Sequence, residues 1–198
     1  MKFKRSLPFL VTSLFVAMFS TAVMAQTTLR FGHANSPGEI AHDLYKEFAD
    51  NVTKKSGGQL VVRVFPSEQL GKEVDLLQQL KSGALDISSP SMPTLNSMVP
   101  AFEMPSAPFL WRDWKEAEAV IRGPAMEPIW TELKDKHNIV PLSKIWYWGW
   151  RNFTFSNKEV RKPEDMAGLK VRVPESPIWV EMVRGFGAAP PPIPFGEV

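Results

Sequence analysis

The 198-residue chain contains no cysteine and only three histidines. The first absence excludes disulfides, thiol catalysis and cysteine-ligated metals, so apolar burial alone has to hold the fold together. The histidines, His33, His42 and His137, form no close ligand pair of the HExxH kind, which removes a common zinc signature. A GxSxG nucleophile elbow, a phosphate-cradling glycine loop and EF-hand spacing are missing too. There is no internal repeat and no low-complexity tract. No metal or cofactor is expected.

What is present starts with a leader. Lys2, Lys4 and Arg5 precede an uncharged apolar run from Leu7 to about Phe19, and the small residues Val23 and Ala25 stand before Gln26. Residues 1–25 therefore have the layout of a secretory signal peptide, with an apolar run too short for a comfortable membrane span. Three of the 23 Lys plus Arg belong to this leader, leaving 20 against 21 Asp plus Glu. The mature chain is close to neutral, and the basic isoelectric point is no argument for nucleic-acid binding.

Seven Trp and thirteen Phe suit a large core or an apolar pocket. Along the mature chain, "TTLRFG" alternates as a short strand. Ile40, Ala41, Leu44, Tyr45, Phe48, Ala49 and Val52 then recur at helical spacing until "KKSGG". "LVVRVFP" is a second strand, "EVDLLQQLKSG" a helix with Val74, Leu77 and Leu80 inward, and "ALDIS" a third strand. A β-α-β-α-β order predicts a mainly parallel sheet covered by helices, with ligands beyond the carboxyl ends of the strands. The loops "GHANSP", "PSEQLGKE" and "SSPSMPT" share that rim. Residues 90–112 are expected to be irregular. Helices follow at about 113–122 and 125–137, then an aromatic β-rich stretch, "NIVPLSKIWYWGWRNFTFS". A short helix at Pro163, the strand "LKVRVP" and a helix in "SPIWVEMVRGFG" complete the reading. We expect a first α/β lobe over 26–143 and a partial second lobe over 144–198, facing each other across a cleft.

Arg151, after "WYWGW", and Arg172, within "LKVRVP", sit among apolar residues, where a guanidinium is costly unless an anion meets it. A ligand carboxylate would receive two parallel charge-assisted hydrogen bonds from the planar fork. A structural salt bridge or a solvated strand face is the competing reading for Arg172. Glu73, Asp75 and Glu175 leave a paired-carboxylate hydrolase open, as in a secreted enzyme acting on a carboxylated sugar, although nothing in their spacing requires it.

The blocks "LRFGHANSPG", "FPSEQLGKEVDLLQQLKSGALDIS", "RKPEDMAGLKVRVPES" and "GAAPPPIPFGEV" stand in the order and spacing of one family. The chain resembles the extracytoplasmic solute-binding proteins of TRAP transporters, the DctP family. The resemblance implies an α/β, two-lobe periplasmic-binding-protein-like architecture, closing around a small organic acid that is passed to a sodium-driven membrane permease. It implies a periplasmic location and no catalytic residue. Arg172 takes the family's carboxylate-binding position and Arg151 the second arginine. Glu73 and Glu175 are weaker carry-overs, Phe195 a pocket-lining aromatic, and His33 and Ser91 cleft-facing loop positions. Family members continue beyond the last block, so the chain is expected to be a fragment with an incomplete second lobe.

Overall fold

The computed structural model describes residues 25–146 and 149–198. The expected signal peptide therefore lies outside the described residues, apart from Ala25. Three parallel strands, β1 (Thr27–Gly32), β2 (Leu60–Phe65) and β3 (Ile87–Ser88), form a sheet in the order β2-β1-β3. β1 pairs with β2 along its whole length, from Thr27 beside Leu60 to Gly32 beside Phe65, and touches β3 only at Phe31 and Gly32.

The crossovers are the helices α1 (Ile40–Lys55) and α2 (Glu73–Ser82). α1 turns inward the face that the apolar spacing suggests, with Ala41, Tyr45, Phe48, Ala49 and Val52 in one cluster. His42, Tyr45 and Ala49 are buried, whereas Ile40 is 79% and Leu44 45% exposed. Packing on Phe31 and Val62 of the sheet sets the phase of the helix, and the apolar stripe is wide enough to leave two members outside. α2 buries Leu76 and Leu77 and stops at Gly83, whose φ of 76° is the left-handed conformation that glycine adopts at little cost. Gly32 matters for another reason. A Cβ there would meet the tip of Leu76 at 3.0 Å, so any side chain at the strand end would have to push that leucine of α2 aside.

Residues 90–112 hold a single turn, α3 (Met92–Leu95), and a 3-10 helix over Pro100–Ser106. α4 (Trp114–Arg122) is capped by Asp113, whose side chain accepts from the Glu116 amide at 2.9 Å, and α5 (Glu127–His137) ends at left-handed Asn138. These elements close an apolar cluster in which Phe102 and Trp130 meet at a tilt of 60° with centroids 4.7 Å apart. The indole N–H of Trp130 donates to the Ile121 carbonyl, so its burial leaves no polar atom unmet.

The aromatic stretch behaves differently from its composition. Among the described residues of 138–156 there is no strand. β-rich composition needs a neighbouring strand to pair with, and no described segment lies alongside this one as a ladder partner. Regular structure resumes with a 3-10 turn at Pro163–Met166 and α6 (Pro177–Gly185); between them the expected strand "LKVRVP" is reduced to two isolated bridges, because its partner segment is proline-rich and cannot complete a ladder. Parallel bridges join Lys170 to Ala189 and Val173 to Pro192, making a small β-α-β unit around α6. Leu169, Val171 and Val173 turn into its cluster with Met166 and Val183, as the alternation predicts. That cluster draws only on residues from Phe155 to Ala188.

Candidate functional site

Each strand of the main sheet releases a loop at the same edge. After β1, His33 is expected on the rim but is 1% exposed, wedged against Phe31, His42 and Tyr45. Its Nε2 lies 3.3 Å from His42 Nδ1, and its own Nδ1 is buried without a partner among the described residues. Burial, then the neighbouring His42, holds its pKa down to about 4, with Glu39 opposing.

After β2, Ser67 and Glu68 both adopt left-handed backbone, with φ of 52° and 55°. Two adjacent non-glycine residues in that region are strained, and the neighbouring loop pins them. The Ser67 amide donates to the Asn35 carbonyl and the Glu68 amide to that of His33. Glu73 then begins α2, where the helix N-terminus favours a carboxylate. Its Oε2 accepts from Ser91 Oγ at 2.7 Å, from the Ser91 amide at 3.3 Å and from Thr94 Oγ1 at 2.5 Å. Glu73 and Ser91 are thus brought together as one buttressed group in the loop after β3. Tyr45, beside them, donates to or accepts from Ser89 Oγ at 2.6 Å, and burial, with the charge of Glu73 adding to it, raises its pKa.

The carboxy-terminal unit supplies the cations. Arg172 is half-buried, between the bridged residues Lys170 and Val173. Its Nε donates to the Ile193 carbonyl at 2.8 Å and its Cζ lies 6.0 Å from the Phe195 ring centroid, so Phe195 does flank the arginine. Arg151 rests over Trp179, with Cζ 5.4 Å from the ring centroid. Both guanidiniums are pulled below the usual arginine range, chiefly by desolvation. Arg151 nevertheless keeps an exposed face. Protein atoms crowd one side of it while water still reaches the other. Arg151 further depresses Arg172, and the charges of Glu73, Glu175 and Glu68 act in the other direction. Glu73 also acts on Arg151. Electrostatically these five groups form one site. Glu175 is exposed and acts through space, on Arg172 and on Lys72.

Several contributors went unread in the sequence. Thr94 carries a faint signal, a Ser-x-x-Thr after a strand with Pro93 between. Tyr45, Glu68, Glu103 and Trp179 carry none, because only the three-dimensional fold makes them neighbours of the site. Among the described residues no group of three or more His, Asp or Glu is placed to hold a metal ion. A surface depression of about 540 Å³ lies elsewhere, against Pro124, Glu127 and Thr131. It is shallow and brings together no comparable set of donors, so the converging charges are the better guide to function.

Fold and charge layout together define a class: a parallel-sheet α/β protein with its charged groups gathered beyond the carboxyl ends of the strands. The chain belongs to the DctP family, bacterial extracellular solute-binding protein family 7, whose family model matches residues 31–198. It is 31% identical to the 2,3-diketo-L-gulonate-binding periplasmic protein YiaO of Escherichia coli over 92% of this chain and 55% of that protein. It is also 31% identical to the sialic acid-binding periplasmic protein SiaP of Vibrio cholerae, over 90% and 55%. Among solved structures, a TRAP periplasmic solute-binding protein from Xanthobacter autotrophicus with bound β-D-galacturonate matches with a TM-score of 0.76 and 35% identity, over 85% of this chain and 56% of that one. The sugar acid binding protein DctPAm from Advenella mimigardefordensis, in complex with galactonate, matches with a TM-score of 0.82 and 30% identity, over 88% and 56%. The chain spans about half the length of the relatives it matches.

Proposed function

We propose that this chain is the ligand-capturing part of a TRAP solute-binding protein, taking up a small organic acid in the periplasm and handing it to a membrane permease. The observation that carries the reading is the pair of desolvated, carboxylate-seeking arginines, Arg151 and Arg172, set opposite Glu73. Arg172 spends Nε on its own backbone, so its two terminal nitrogens point the fork end-on at a carboxylate. Arg151 adds the second positive charge, and Phe195 covers the apolar side of the ligand. Glu73, with Ser91 and Thr94, faces the rest of the molecule as a cluster suited to hydroxyl groups. Residues 26–143 and 144–198 act as the two walls of the cleft.

A polyhydroxylated monocarboxylate fits this layout. The ligands named for the relatives above, diketogulonate, sialic acid, galacturonate and galactonate, are of that kind. Each of these proteins is named for binding. Binding without chemical conversion is therefore the reading, with no catalytic residue assigned. Calorimetric titration of the full-length mature protein with D-galacturonate, D-galactonate and succinate tests it. Saturable binding of a sugar acid that disappears in Arg172→Ala is expected; binding indifferent to that change sinks the assignment.

A further inference from the structure

We infer that Glu103 is a positioning residue, which sets where both arginines stand by capping α6 from the opposite side of the molecule. The inference rests on the carboxylate-binding reading of Arg151 and Arg172.

Glu103 lies in the 3-10 helix Pro100–Ser106, between the buried Phe102 and Pro105, so its backbone has little freedom. Its Oε1 accepts from Ser176 Oγ at 2.8 Å and from the Ile178 amide at 2.6 Å. Asn96 Nδ2 donates to the other oxygen, Oε2, which fixes the carboxylate rotamer. The need for this partner is written into the start of α6. Ser176 is the N-cap residue, yet its hydroxyl makes no capping bond of its own. Pro177 has no N–H. The Ile178 amide is thus the first donor of the helix left without an intrahelical acceptor. A carboxylate 75 residues upstream meets it, with the helix dipole in its favour.

The position of this contact gives it functional weight. Arg172 precedes Ser176 by one short turn, in which the Ser176 amide bonds the Pro174 carbonyl at 2.8 Å. Trp179, the platform under Arg151, is the residue immediately after Ile178. One carboxylate therefore registers the segment that carries Arg172 and the ring that carries Arg151. Both are set against Glu73, Ser91 and Thr94, which belong to the same side of the chain as Glu103. An apolar contact would hold the two sides together but would not fix the rotation of α6 about its axis; two directed hydrogen bonds to one carboxylate oxygen do.

Hydrogen–deuterium exchange on the full-length mature protein tests this without any ligand. Glu103→Ala is expected to speed exchange across 176–183 and 169–173 by about tenfold or more, while 27–32 and 60–65 keep their protection. Glu103→Gln, which retains the acceptor oxygen, restores protection. Unchanged exchange at Ile178 in the alanine variant overturns the proposal, and so does a uniform rise that includes β1 and β2, the mark of a merely structural role. In parallel titrations with D-galacturonate, Glu103→Ala weakens affinity about tenfold or more and Glu103→Gln by less than about threefold. Equal losses in both variants overturn it as well. Should the wild-type protein bind no acid, the carboxylate reading fails, and the exchange data still decide the role of Glu103.

Discussion

The Nε of Arg172 is bonded to the carbonyl of Ile193, across the parallel bridge that pairs Val173 with Pro192. The guanidinium is therefore aimed by the backbone of its own β-α-β unit before any ligand arrives. Immobilising a long side chain in advance removes part of the entropic cost of binding.

Arg172→Lys tests that aim. Lysine keeps a positive charge but loses both the Ile193 bond and the planar fork. Loss of one charge-assisted hydrogen bond, about 1.5–3 kcal/mol, corresponds to a roughly 10- to 150-fold weaker carboxylate affinity. Titration calorimetry reads the change directly, and a Kd within threefold of wild type would refute the geometry.

Glu73 is expected to act as a selectivity filter against a second carboxylate. Its charge reaches both arginines, and Ser91 and Thr94 hold it in place. Glu73→Gln removes the repulsion and keeps an acceptor for the two hydroxyls. Relief of about 1 kcal/mol should strengthen succinate binding roughly fivefold relative to D-galacturonate. A competition titration with the two acids gives the ratio.

The buried His33 makes stability fall on acidification. Its folded pKa is about 4, against 6.5 for the free side chain. Above pH 6.5 the ring is neutral in both states. As the pH drops from 6.5 towards 4 the unfolded chain takes up the proton first, so stability declines with falling pH and levels off below 4. The loss between pH 7.5 and pH 5 from this group is about 2 kcal/mol. His33→Gln should remove that slope in urea melts at the two pH values; an identical slope in the variant would show that other groups are responsible.

Gly196→Ala probes the contact between the loop after β2 and the last turn of the described chain. The Gly196 amide donates to Glu68 Oε1 at 3.2 Å, and a Cβ on residue 196 would overlap that carboxylate. Displacing Glu68 should cost about 1 kcal/mol, and the Lys72–Glu197 ion pair beside it, about half exposed on both sides, is too solvated to compensate. Urea denaturation midpoints measure the loss, and a midpoint equal to wild type would show that the contact contributes nothing.

Local pattern carried much of the fold. Period-2 and period-3.6 spacing located β1, β2, α1, α2 and α6, and Gly83 marked a boundary that the structure keeps. It misjudged the exposed edge of α1, at Ile40 and Leu44, and the aromatic stretch before Phe155, because both depend on what lies alongside. Arg172 and Glu73 were singled out by the family blocks, and Arg151 by its apolar surroundings. Glu175 was legible too, but it acts only through space.

What the sequence determined by itself was therefore the order of elements, the freedom from disulfides and the presence of two arginines in apolar surroundings. The tertiary structure alone decided what meets them. Glu103 and Ile178 are 75 residues apart, and Glu68 and Gly196 are 128 apart. No periodicity spans such separations. Only when burial of separate apolar faces brings the two units together do their carboxylates and amides come within hydrogen-bonding distance.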